Sequence, residues 1–132
     1  MNIIVCLDDN NGMMFNSRRQ SSDVVLTRHV IDLARESKLW MNEYSAPLFD
    51  GFSVCVSDDF LTHAKSGEYC FVENSDIAAH MDRVETLIIY RWNRHYPSDR
   101  TFDVSLDGWR LVESKEFAGK SHPIITWEVY ER

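Results

Sequence analysis

Strands alternating with helices, followed by two alternating strands joined by a short polar connection, predict an α/β protein with a mostly parallel sheet and an antiparallel edge. Three stretches carry this reading. Residues 2–7 (NIIVCL) are continuously apolar, as in a strand covered on both faces. Leu26, Val30 and Leu33 recur at offsets of four and three, which predicts an amphipathic helix over 23–36. Residues 109–117 and 124–130 alternate apolar with polar side chains across AGKSHP, which predicts an antiparallel hairpin.

The remaining elements follow in order. Asp8–Gly12 (DDNNG) ends the first strand with turn chemistry, and 13–21 reads as a polar, irregular loop carrying Arg18, Arg19 and Gln20. Ser21 and Ser22 offer an N-cap, with Asp23 in the first turn at the positive end of the helix dipole. Residues 39–42 (LWMN) predict a short strand, and 44–49 a helical turn interrupted by Pro47. Residues 52–57 (FSVCVS) alternate like a half-buried strand, and 58–65 predict a short helix. A strand over 69–72 (YCFV), a helix over 75–81 and a longer strand over 86–92 (TLIIYRW) complete the middle.

With 132 residues, 44% hydrophobic and 12% aromatic, the chain suffices for one domain, 1–132, around a continuous core. A net charge of −7 repels phosphate backbones, so nucleic acid is not an expected partner. No apolar stretch approaches the roughly 18 residues that span a membrane, so no membrane association is expected. Cys6, Cys55 and Cys70 each lie in an apolar run without CxxC spacing, which predicts buried free thiols and a reducing, cytoplasmic location. Trp40, Trp92, Trp109 and Trp127 fall in predicted strands and read as core. The oligomeric state, a homodimer included, is left open.

The order of elements and the residues that fill them resemble dihydrofolate reductase over nearly the whole chain. NIIVCLDDNNGM is similar to the family's first strand and the loop that closes over the nicotinamide. SSDVVLTRHV resembles its first helix, where a carboxylate at the position of Asp23 holds the pterin ring. LWMNEYS falls where the family ends a strand in a Gly-Arg-x-Thr cofactor motif, and FVENSDIAAHM where a strand runs into a Gly-Gly pair. The segment from Thr86 through Phe117, with the hairpin to Glu131, resembles the closing strands. The resemblance implies a shortened dihydrofolate reductase-like three-layer α/β sandwich with a mostly parallel central sheet and a C-terminal antiparallel hairpin.

It also implies where the chemistry would sit and how it is altered. Asp23 is the candidate catalytic group, since a carboxylate beside a pocket can pair with an amidine-like edge and assist protonation of a ring nitrogen. Asn42 and Glu43 stand where the family has the Gly and Arg of its phosphate motif, and Ser45 keeps a hydroxyl where it has Thr. Glu73 and Asn74 replace the paired glycines that let backbone approach a pyrophosphate. Two like charges ~5 Å apart repel by roughly 3 kcal/mol at an effective dielectric near 20. NADPH bound in the family's usual way is therefore not expected, and no cofactor is expected.

Asp8, Asp9, Glu43, Glu73 and Asn74 are expected to crowd the carboxyl edge of the sheet, with Arg18 and Arg19 above it. The arginines then either pair with Glu43 and Glu73 or leave an acidic site for a cation or basic ligand. Asp59 with His63 and Asp76 with His80 have i,i+4 spacing but no third ligand nearby, and the five histidines never fall at HxH spacing. No metal site is expected. The linear sequence displays no Ser-His-Asp or Cys-His signature and no P-loop. The expected function is a non-reductase domain on this fold, binding a small-molecule ligand in the crevice at the carboxyl ends of the strands. The alternatives are an NADPH-dependent reductase of a pterin or related heterocycle, and metal-assisted hydrolysis by the acidic cluster.

Overall fold

In a computed structural model that describes residues 1–132, ten strands and two α-helices follow one another along the chain. They are β1 (Asn2–Leu7), β2 (Gly12–Phe15), β3 (Arg18–Arg19), α1 (Val24–Leu33), β4 (Leu39–Met41) and β5 (Cys55–Val56). There follow α2 (Phe60–His63), β6 (Tyr69–Phe71), β7 (Thr86–Arg91), β8 (Arg100–Thr101), β9 (Arg110–Phe117) and β10 (Ile125–Glu131). Seven strands form one sheet in the order β5-β4-β6-β1-β7-β10-β9. The first five are parallel, and β10 and β9 close the sheet as an antiparallel edge.

The continuous apolar run of β1 has the burial its composition demands. Ile3, Val5 and Leu7 face one core with Leu87 and Ile89 of β7, Phe60 of α2 and Met13 of β2. Ile4 faces the other core with Ile88, Tyr90 and the apolar stripe of α1, Leu26 and Val30. The alternation of side chains about a strand thus loads both faces of the central sheet. No helix is long and apolar enough to cross a membrane.

Several expectations are corrected. Residues 13–21 are not irregular: β2 and β3 form a hairpin, and β8 joins them in a second, three-stranded sheet. Asn16 (φ 52°) and Ser17 (φ 60°) turn the hairpin in the left-handed region, where both residues of a tight primed turn must sit. The strand expected over 52–57 contracts to Cys55–Val56, and the helix over 58–65 to Phe60–His63. Residues 44–49 and 75–81 supply 3-10 turns at Ala46–Phe49 and Ala78–Arg83 rather than α-helix, the first with Pro47 near its start. Trp92 and Trp127 are buried, whereas Trp40 and Trp109 are only partly so, and Trp109 precedes β9. The three cysteines are free.

Candidate functional site

Parallel strands deliver their carboxyl ends to one edge of the sheet, and β4 lies beside β6, which lies beside β1. That order brings together residues far apart in sequence. Asn42 follows β4 and donates from Nδ2 to Asn74 Oδ1 at 2.8 Å. Ser45 Oγ donates to Glu73 Oε1 at 2.7 Å. Arg19, at the end of β3, forks onto the same carboxylate, Nε to Oε2 at 2.8 Å and Nη2 to Oε1 at 3.1 Å. Its guanidinium lies 4.6 Å from the centre of the Tyr44 ring, and its backbone N–H donates to the Tyr44 hydroxyl at 2.8 Å. Bidentate geometry, a stacked ring and a third donor on Glu73 make this a closed network.

The rest of the expected acidic cluster does not assemble. Glu43 points to solvent and makes no hydrogen bond or ion pair, because it follows Asn42 on the opposite side of the turn. Arg18 is likewise exposed and unpaired, alternating with Arg19 along the short strand. Asp9 is exposed, and Asp8 is fully buried in its own loop. Burial opposes ionisation of Asp8, but the amides of Gly12, Tyr96 and Asn10 and the Gln20 side chain outweigh it and lower its carboxyl. Gly12 is required there, since a Cβ would lie 2.9 Å from Asp8 Oδ1 and 2.6 Å from Gln20 Nε2. Asp76 pairs with Arg100 instead of His80, while Asp59 and His63 form an exposed pair. Nowhere do three His, Cys, Asp or Glu side chains converge on a position that could hold a metal ion.

Asp23 departs most from expectation. It is itself the N-cap of α1, with extended backbone (φ −151°, ψ 127°) and Oδ1 accepting from the Val25 amide at 2.9 Å. Ser21 and Ser22 do not cap the helix. Asp23 borders a small hollow with Cys6, Leu26 and Trp92, and its carboxylate is shielded from solvent. It is swallowed by the connection between β9 and β10, which folds back over the start of α1. Lys120 N donates to Oδ1 at 3.0 Å, Ser121 N to Oδ2 at 2.7 Å, and His122 Nδ1 lies 3.0 Å from Oδ2. Burial disfavours the anion, but the His122 ring and the amides of Lys120, Ser121 and Val25 outweigh it and hold the carboxyl far below its usual range. A Cβ on Gly119 would stand 2.5 Å from Asp23 Oδ2, so only glycine lets the turn approach this closely.

The same turn brings in residues that sequence reasoning passed over. His122 is 3% exposed and its ring stacks on Trp92 with centroids 4.5 Å apart. Its Nε2 lies 3.0 Å from Ser21 Oγ and 3.2 Å from the Tyr96 hydroxyl. Nothing local couples Asp23 to a histidine 99 positions away; the available signal was the SHP tripeptide in a hairpin connection too long for a tight turn.

Between the two networks runs a narrow hollow with walls of Cys6, Leu26, Leu48, Phe71 and Trp92, and with Arg19, Ser21 and Glu73 on its rim. The void is about 20 Å³, room for one water molecule. Burial, with the Glu73 carboxylate nearby, pushes the Cys6 thiol well above its ordinary pKa, so it is an inert wall. Outside Arg19 and Gln20 lies an open groove of about 470 Å³ bordered also by Phe15, Arg18 and Tyr96.

Neither a family model nor a curated protein sequence matches the chain. Among solved structures it is similar to dihydrofolate reductase from Enterococcus faecalis complexed with NADP(H) and RAB-propyl, with a TM-score of 0.71. The superposition covers 99% of this chain and 95% of that one at 10% sequence identity. The chain has the dihydrofolate reductase fold. At that identity the likeness is one of architecture: the central mixed sheet with its C-terminal antiparallel hairpin is common to both, and site chemistry has to be argued from these residues alone.

Proposed function

We propose that this chain is a non-reductase domain on the dihydrofolate reductase fold that binds a small ligand in the crevice at the carboxyl ends of the strands, its bulk in the open groove outside Arg19 and Gln20 and only its smallest end directed at the hollow beside α1. The observation that carries the reading is the bidentate Arg19–Glu73 pair, closed by Ser45. The enterococcal structure of this fold is described as complexed with NADP(H). On the alignment of motifs given above, Asn42, Ser45, Glu73 and Asn74 belong to the phosphate-binding end of the cleft. A dinucleotide phosphate approaching there meets a carboxylate, and recruiting Arg19 to it leaves the largely buried Glu73 with only the Ser45 hydroxyl as partner. Each like-charge approach at ~5 Å costs roughly 3 kcal/mol, about two decades in binding.

A pterin reductase reading loses support at the opposite end as well. Both oxygens of Asp23 are committed to the 119–122 turn and the helix cap, so no carboxylate edge is free for a heterocycle. What stays hollow is lined by Leu26, Leu48, Phe71 and Trp92, an apolar surface suited to a compact uncharged group.

Titration with NADPH is the direct test. No binding tighter than about millimolar is expected at ordinary salt, and a micromolar dissociation constant overturns the reading. The double variant Glu43→Arg with Glu73→Gly, which restores a cation and a glycine to the two motif positions, should bind NADPH better than the parent. In a thermal-shift panel, compact uncharged ligands should raise the transition more than nucleotides or folates, because only a ligand that binds the native state stabilises it.

A further inference from the structure

We propose that Ser21, His122 and Asp23 form a nucleophilic triad that hydrolyses short-chain acyl esters. The relay is continuous: Asp23 Oδ2 lies 3.0 Å from His122 Nδ1, and His122 Nε2 lies 3.0 Å from Ser21 Oγ. Its polarity is fixed by the rest of the turn. The amides of Val25, Lys120 and Ser121 can only donate, so the Asp23 carboxylate is an acceptor at both oxygens. His122 therefore carries its proton on Nδ1, which leaves the Nε2 lone pair facing the serine hydroxyl. Stacking on Trp92 fixes the plane of the imidazole.

Placement completes the case. Ser21 precedes the cap of α1, so its side chain is not committed to the helix, and it is only partly buried on the rim of the hollow. Tyr96 holds a second hydroxyl 3.2 Å from the same Nε2. Asp23 acts here through His122 and is a positioning residue.

In the reaction, Ser21 Oγ attacks the ester carbonyl carbon while its proton passes to His122 Nε2. The bond from that carbon to the leaving oxygen then breaks, and His122 returns the proton to this oxygen, releasing an alcohol and leaving acyl-Ser21. Water attacks the acyl carbon, gives one proton to Nε2, and the carbon–Oγ bond breaks as Oγ regains that proton. Ester and water become carboxylic acid and alcohol, with no redox partner. A void with room for little more than one heavy atom favours the shortest acyl group over longer chains. The leaving alcohol would lie in the outer groove, where Phe15, Tyr96 and Arg18 suit an aromatic or anionic group. The inference rests on the ligand-binding reading only for the use of this hollow.

The test uses the full chain with a biotinylated fluorophosphonate, followed by peptide mass spectrometry, and with p-nitrophenyl acetate. One adduct on Ser21 is expected, with acetate hydrolysed faster than hexanoate. Ser21→Ala and His122→Gln should each lower the rate by at least about 100-fold. Folded wild-type protein that stays unlabelled, an adduct on another residue, or a Ser21→Ala variant that keeps the rate overturns the proposal. Labelling is read on the wild-type chain, so a variant that fails to fold does not blunt the test. Micromolar NADPH binding would overturn the non-reductase reading without altering the fluorophosphonate result, so the two can fail separately.

Discussion

The two ends of the crevice each hold a carboxylate that a cleft of this architecture could show to a ligand, and the protein quenches them differently. Asp23 is satisfied by three backbone amides and a buried imidazole, all held by the fold itself. Glu73 is satisfied by one arginine and one serine, side chains that can swing away. Its pair is still partly open, with 26% of the Arg19 side chain exposed. Backbone donors cannot leave without unfolding the turn; a guanidinium can. The Asp23 end is thus a rigid fixture, and the Glu73 end is a latch.

On that contrast, removing the Asp23 carboxylate gives the largest effect. Asp23→Ala abolishes the helix cap and leaves buried amides without acceptors, so a loss of about 3 kcal/mol is expected. Urea midpoints at constant m-value measure it; a loss below about 1 kcal/mol would mean the turn is held elsewhere. Gly119→Ala should follow, at about 2 kcal/mol, because its Cβ would stand 2.5 Å from Asp23 Oδ2 and 2.9 Å from His122 O. Combining it with Asp23→Ala should recover part of that cost, since one clashing partner is gone, and a purely additive double mutant would break this explanation.

Acid unfolding sharpens the same difference. The folded pKa of Asp23 lies below its unfolded value, so its contribution is fully present above pH ~4 and is lost as the pH falls through the depressed folded value. The stability gap between wild type and Asp23→Asn should be widest near neutrality and close in strong acid. A gap that grows on acidification would reverse the sign of the linkage and refute the assignment.

At the latch, Glu73→Gln should cost about 1–2 kcal/mol, less than the fixture, because Arg19 keeps Tyr44 and access to water. The smallest effects belong to Arg18→Ala and Glu43→Gln, each within about 0.5 kcal/mol, since both side chains are exposed and unpaired. A larger effect from either would mean that the outer residues join the crevice after all.

Sequence patterning reached the parts of this molecule governed by short-range rules. The apolar run of β1, the stripe of Leu26 and Val30 and the inward faces of Ile125 and Trp127 in β10 each follow from where a side chain must point in its own element. By contrast, β9 is exposed along nearly its whole length, Leu111 and Val112 included. The order of strands placed Asn42, Ser45, Glu73 and Asn74 at one edge, and the tertiary structure joins them to Arg19. The same reasoning missed the β2–β3 hairpin because Asn16 and Ser17 turn it without the glycine that usually marks a primed turn. It grouped Glu43 with Glu73 because position along a chain says little about which side of a turn a residue faces.

What the sequence by itself determined is the layered α/β architecture and the register of core-facing residues in β1 and α1, properties of residue type and local period. What only the tertiary structure decided is the use of the acids. Asp23 meets His122 across 99 positions, a contact that no local pattern announces. The pairing of a loop arginine with an acid of the crevice is among the expectations from sequence, and the structure decides that it is Arg19 with Glu73, across 54. Such contacts depend on the path of two connections in space, and no periodicity records where a loop folds back.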